Sequence, residues 1–157
     1  MIPAGYERRC LLAIFETVLP SGAAERMPFG AADVPMGRFL EDFFRHAPAQ
    51  VRFGLRACTW LVALSAPFVL GRFRTFLGLA PGERLELLAR FGRSSSYLVR
   101  EVPLLFKTVA CLAYCGLPDV QSRLGISPVD ATPPSWARAH ADASPGRRSL
   151  PTVEAGR

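Results

Sequence analysis

Between Asp42 and Glu83 the chain carries no acidic side chain, and inside that interval lies an uncharged run, Ala57 to Gly71, ACTWLVALSAPFVLG. Thr59 and Ser65 are its only polar side chains. Arg52 and Arg56 precede it, and Arg72 and Arg74 follow it. An apolar run between cationic flanks can serve as the central helix of a small helical domain. It can lie in a membrane interface with its arginines on headgroups, or it can plug into a larger partner. A bilayer span fits least, because a span needs roughly 20 apolar residues and Pro67 interrupts this shorter run. The reading that fits best is a core helix with a partly exposed partner face.

A helix apolar on most of its circumference must be surrounded. The chain has 157 residues, enough for one domain, and half of them are hydrophobic. Its mean hydropathy is positive. Those numbers support a real core and leave the question of what covers any surplus. An uncovered apolar face is a candidate binding site. The net charge of +6 is carried almost wholly by arginine, Lys107 being the only lysine. An Arg-, Ala-, Gly- and Pro-rich composition is also what a GC-rich genome encodes, so the basic balance alone does not name a partner. Read as function, it points to an anionic surface such as phospholipid or an acidic protein. Nucleic acid is not expected, because the arginines alternate with bulky aliphatics and form no polar stripe.

Helical periodicity runs along most of the chain. Leu11, Ile14, Phe15, Val18 and Leu19 give a first helix over 7–19, stopped by Pro20-Ser21-Gly22. Asp33 reads as the N-cap of a second helix, with Pro35 in its first turn. Met36, Phe39, Leu40, Phe43 and Phe44 form its apolar stripe. The third helix starts at Pro48 and carries two lines: Val51, Leu55, Cys58 and Val62, then Phe53, Trp60, Leu61 and Leu64. Pro67 is expected to kink or end it. Residues 71–78 alternate aromatics with arginine and read as a connecting loop or short helix able to dock on a partner. Pro81 opens a fourth helix with Leu85, Leu88 and Phe91 inward and a Glu86–Arg90 pair outward. A fifth runs from Ser94-Ser95-Ser96 to Cys115 with Pro103 inside it, and a short sixth covers 118–124. In the fifth, Val102, Leu105, Phe106, Val109, Leu112 and Ala113 supply the apolar face.

The fold class that follows is all-α: a compact bundle of about five to six helices around an apolar central helix. Residues 1–125 form the helical domain. Residues 126–157 form an extended, Pro-rich C-terminal arm that cannot bury enough apolar surface to order alone. Trp136 is that arm's one large anchor. No internal repeat and no strand pair is readable.

Sites of chemistry are sparse. Cys10, Cys58, Cys111 and Cys115 form no CxxC pair and have no histidine at zinc-site spacing. Cys111 and Cys115, four residues apart, read as two small buried hydrophobes. Arg8-Arg9 followed by Cys10-Leu11-Leu12 resembles a twin-arginine leader, but the apolar stretch stops at Glu16, so no cleavable signal is expected. No phosphate loop, GxSxG, HExxH or carboxylate pair is present. The expectation is a chain without catalytic, cofactor-binding or metal-ligating residues, whose interface residues are Arg52, Arg56, Trp60, Phe68, Arg72, Phe73, Arg74 and Trp136.

The order of motifs carries a resemblance. LLAIFETVLPSG, with Ala13-Ile14 followed by Leu19-Pro20, resembles the opening of the gluconate 2-dehydrogenase subunit 3-like family and the N-terminal helical region of long-chain fatty alcohol oxidases. The later block is similar to the oxidase region. It shows Phe76, Leu79, Glu83-Arg84, Leu87-Leu88 and Ser94, then Lys107 with Tyr114, then Leu124-Gly125 with Pro128. The resemblance spans 11–128 and rests on hydrophobic patterns. It implies a non-catalytic small subunit that stabilises a glucose–methanol–choline type flavoenzyme or attaches it to the membrane. FAD would sit on the large dehydrogenase or oxidase chain and not on this one. The chain would be cytoplasmic or peripheral on a membrane. The alternative is a peripheral membrane protein that uses the Arg-flanked segment 52–74. An independent enzyme is a third and weaker reading.

Overall fold

A computed structural model describes residues 3, 5–22, 29–123 and 125. Among them are six α-helices and no strand: α1 Gly5–Val18, α2 Met36–His46, α3 Ala49–Leu70, α4 Pro81–Gly92, α5 Tyr97–Cys115 and α6 Pro118–Arg123. Two 3-10 turns, Ala31–Asp33 and Phe76–Gly78, punctuate the connections. The all-α expectation holds. The arm at 126–157, with Trp136, lies outside the described residues.

The most enclosed helices are α1 and α5. Helix α1 packs against α3, α4 and α5 and buries Cys10, Leu11, Ile14 and Phe15 completely or nearly so. Phe15 meets Phe106 of α5 edge to face, ring centroids 6.2 Å apart, a favoured geometry for two aromatic quadrupoles. Leu87, Leu88 and Phe91 of α4 and Val102, Val109, Ala110 and Ala113 of α5 complete this centre. Alanines at 63, 66, 110 and 113 are all buried, and such short side chains let helix axes approach closely.

Several local expectations change. Asp33 does not cap α2, which begins after Pro35. Its carboxylate instead accepts from the Gly30 amide at 2.9 Å and from Ser21 Oγ at 2.6 Å. It closes the loop onto the end of α1, where the Ala31 amide donates to the Leu19 carbonyl. A Cβ at Gly30 would come within 2.2 Å of the Ser21 amide nitrogen. Leu85 and Leu112, expected inward, are exposed. In α4 the neighbours Leu87 and Leu88 take the inner positions with Phe91, so the helix is rotated from the register in which Leu85 faces in. Cys115, expected buried, is exposed, and Cys111 is half-buried. Burial, with Cys111 beside it, still raises the Cys115 thiol pKa.

Pro67 does not end α3. The helix continues to Leu70 and stops at Gly71, whose φ of 66° is left-handed, the usual way for a glycine to close a helix. At 22 residues, α3 is long and apolar enough to cross a bilayer, contrary to the length expected from the sequence; 33% of its apolar window is buried against the bundle.

Candidate binding face on α3

Helix α3 separates its side chains by rotation. Leu55, Thr59, Val62, Ala63, Ser65 and Ala66 face the bundle. Phe53, Ala57, Trp60, Leu61, Leu64 and Phe68 face away, all of them exposed. At 100° per residue these six fall in an arc of about 100°. Phe53 is 75% exposed and Phe68 89%. The two polar side chains of the run turn inward: Thr59 Oγ1 donates to the Leu55 carbonyl at 2.7 Å and Ser65 Oγ to the Val62 carbonyl at 3.0 Å. Each hydroxyl is satisfied by its own helix, a common fate for mid-helix Ser and Thr. The outer row is therefore left without one polar side chain.

Both ends of the row are held in place. At the first, Arg56 clamps Glu7 of α1 with two bonds, Nε to Oε1 at 2.8 Å and Nη2 to Oε2 at 2.9 Å. The Glu7 side chain is 7% exposed. This fork-on-carboxylate geometry is the strong form of the interaction. One turn on, Tyr6 stacks on Trp60 with centroids 5.8 Å apart, and the Tyr6 hydroxyl is buried without a partner among the described residues. Arg52, Phe53, Arg56, Ala57 and Trp60 line an open cleft of about 390 Å³. Arg52 reaches back to the Phe44 carbonyl at 3.4 Å.

At the second end, Arg90 of α4 donates to the Val69 carbonyl at 2.7 Å, satisfying one of the acceptors that the last turn of a helix leaves open. The same guanidinium bonds Glu86 at 2.8 Å, and that hydrogen bond holds the Glu86 carboxyl below its ordinary pKa. Beyond Gly71 the alternation of arginine and aromatic resolves into opposite environments. Phe76 is fully buried under Arg84, whose guanidinium lies 5.6 Å from the ring centroid. Phe73 is 97% exposed. Arg72 stands 3.4 Å from Glu83, and Arg74 has no ion pair among the described residues.

Of the expected interface residues, the structure gathers Arg52, Arg56 and Trp60 at one end and Phe68, Arg72, Phe73 and Arg74 at the other. Arg56 is committed to Glu7, so it positions the face and is not a free cation. The residues between the ends, Phe53, Leu61 and Leu64, were not among those expected. Their common spacing was readable in the sequence; which side of the helix would be covered was not. Trp136 lies outside the described residues. Among those residues no group of three or more His, Cys, Asp or Glu side chains is placed to hold a metal. No protein-family model, no curated protein and no solved structure matches the chain.

Proposed function

We propose that this chain is a non-catalytic accessory subunit of a flavin-dependent alcohol or sugar dehydrogenase or oxidase, with FAD held by the large partner chain. The observation that carries the accessory role is the outer row of α3. A folded bundle leaves five large aromatic or aliphatic side chains, Phe53, Trp60, Leu61, Leu64 and Phe68, on one face with no polar group among them, and contiguous apolar surface of that kind marks an interaction site. The flavoprotein as partner rests on the resemblance in the order of motifs across 11–128.

Co-expression with a glucose–methanol–choline type flavoprotein from the same genome tests the reading. The expected result is a complex that survives size-exclusion chromatography, with flavin absorbance on the large chain and a higher soluble yield of it. A large chain that folds, loads FAD and stays soluble alone, and forms no complex at roughly 10 μM, a weak threshold for an obligate pair, overturns it.

A further inference from the structure

We propose that the outer face of α3, together with Phe73, lies in the plane of an anionic phospholipid surface, with the apolar row below the headgroups and arginines at its margins. This deepens the accessory reading, on which it rests, by making α3 the part of the small subunit that attaches the pair to a membrane, the large chain being met elsewhere. The row from Phe53 to Phe68 is about 22 Å long at 1.5 Å per residue. It contains three aromatics, Phe53, Trp60 and Phe68, and Phe73, two residues past Gly71, is almost fully exposed. Aromatic and long aliphatic side chains on one face of a helix are what an interfacial helix buries by 5–10 Å, in the general range for such helices.

Charge selects the occupant. The margins of the row carry arginine at both ends, Arg52 at one and Arg74 at the other, with Arg72 beside it already facing Glu83. No acid occurs between Asp42 and Glu83, and three acids on neighbouring elements, Glu7, Glu83 and Glu86, each already face an arginine. A protein groove would be expected to offer a rim of mixed polarity to set register; this margin, basic at both ends of an apolar row, suits an anionic sheet better. The fold also fixes the orientation. Leu55, Val62 and Ala66 pack into the bundle, and the Arg56 fork holds Glu7 behind the helix. A spanning arrangement would tear these contacts apart, so the helix lies along the surface and does not cross it.

Vesicle flotation of the purified full chain tests this. With phosphatidylcholine vesicles carrying about 30% phosphatidylglycerol, at about 50 mM salt where the screening length is about 14 Å, the chain is expected to float. With phosphatidylcholine alone, or at about 500 mM salt, the bound fraction is expected to fall roughly tenfold. The Phe68→Ser/Phe73→Ser double variant should lose binding at either salt. The Arg72→Gln/Arg74→Gln variant should lose only the preference for anionic lipid. All four positions lie outside the core, and circular dichroism checks that each variant keeps its helices. In a Trp136→Phe background, Trp60 emission should shift to the blue on binding. Failure of the folded chain to float with anionic vesicles at low salt overturns the proposal. So does loss of the flavoprotein complex in the Phe68→Ser/Phe73→Ser variant without any vesicle binding by wild type; that outcome gives the face to the protein partner and leaves the accessory reading standing. Flotation without any flavoprotein complex supports the lipid face and removes the accessory reading.

Discussion

At the scale of single residues, two buried groups near the start of α1 decide how the chain responds to mutation and to pH. Glu7 is an acid in the first turn, where the helix dipole favours negative charge, and it is also the anchor for Arg56 across to α3. Glu7→Gln keeps the shape and removes the charge, leaving a partly buried guanidinium short of its partner. The expected cost is about 1–3 kcal/mol, below that of a fully buried pair because Arg56 keeps some solvent contact. A urea midpoint lowered at unchanged slope would show it; an unchanged midpoint would mean the fork contributes nothing. Cys10 is the second group. Its thiol is fully buried, and burial pushes its pKa up to about 11 from an ordinary 9.0, with Arg84 opposing and Glu7 adding to the rise. A raised folded-state pKa means that the folded form holds the proton more tightly than the unfolded form. Stability from this site is therefore complete below pH 9 and is lost as pH climbs from about 9 toward 11. The wild-type chain should lose stability across that window more steeply than Cys10→Ala does. Parallel slopes in denaturation series at several pH values would refute it.

At the scale of elements, α3 shows how packing overrides a local breaker. A proline inside a helix removes one i→i−4 bond and crowds the carbonyl four residues back, yet α3 runs through Pro67 and α5 runs through Pro103. In both, packing continues beyond the proline, through half-buried Val69 and Leu70 against the core in α3 and buried Phe106, Val109 and Ala110 in α5. Their burial, at about 25 cal/mol per Å² of apolar area, outweighs one missing bond. Where α3 does stop, the cause is conformational. Gly71 has φ of 66° with open space around the position of a Cβ. Gly71→Ala therefore meets no clash and should cost about 1 kcal/mol through the left-handed backbone alone. The thermal midpoint should drop by several degrees, as expected for about 1 kcal/mol in a domain of this size, with helix content retained. No drop would mean that the helix end relaxes to another cap. Phe106→Ala offers the contrast, since the side chain is fully buried between α1 and α5 and its loss should cost about 3–5 kcal/mol.

For the whole molecule, the consequence is an imbalance between core and cover. The bundle hides Phe15, Phe44, Phe76 and Phe106 completely, while Phe53, Phe68 and Phe73 stand in water. A chain with that surface should self-associate when purified without lipid, detergent or partner. Replacing Phe53, Leu64 and Phe68 together by serine should restore a monomer by light scattering. It should change unfolding stability by only about 0.5 kcal/mol per site, the usual range for surface positions. A wild-type chain that is monodisperse at high concentration would show that the α3 row needs no cover.

The sequence by itself determined the helical class, because the 3.6-residue recurrence of apolar side chains leaves no other regular structure able to bury them. It also marked α3 as anomalous, through the uncharged run and its arginine flanks. The second line on that helix, with Phe53 and Leu64 in it, was visible as spacing. What spacing cannot say is which of two apolar lines meets the bundle, since both are equally able to be buried. That choice was made in three dimensions, when α1 offered Glu7 to Arg56 and α1, α4 and α5 packed against the side of α3 that carries Val62 and Ala66. The same holds for Leu85, Leu112 and Cys115, whose places depend on the rotation of α4 and α5 about their axes. Asp33 was drawn from its capping role by Ser21 and the Gly30 amide, partners that only the folded loop brings within reach.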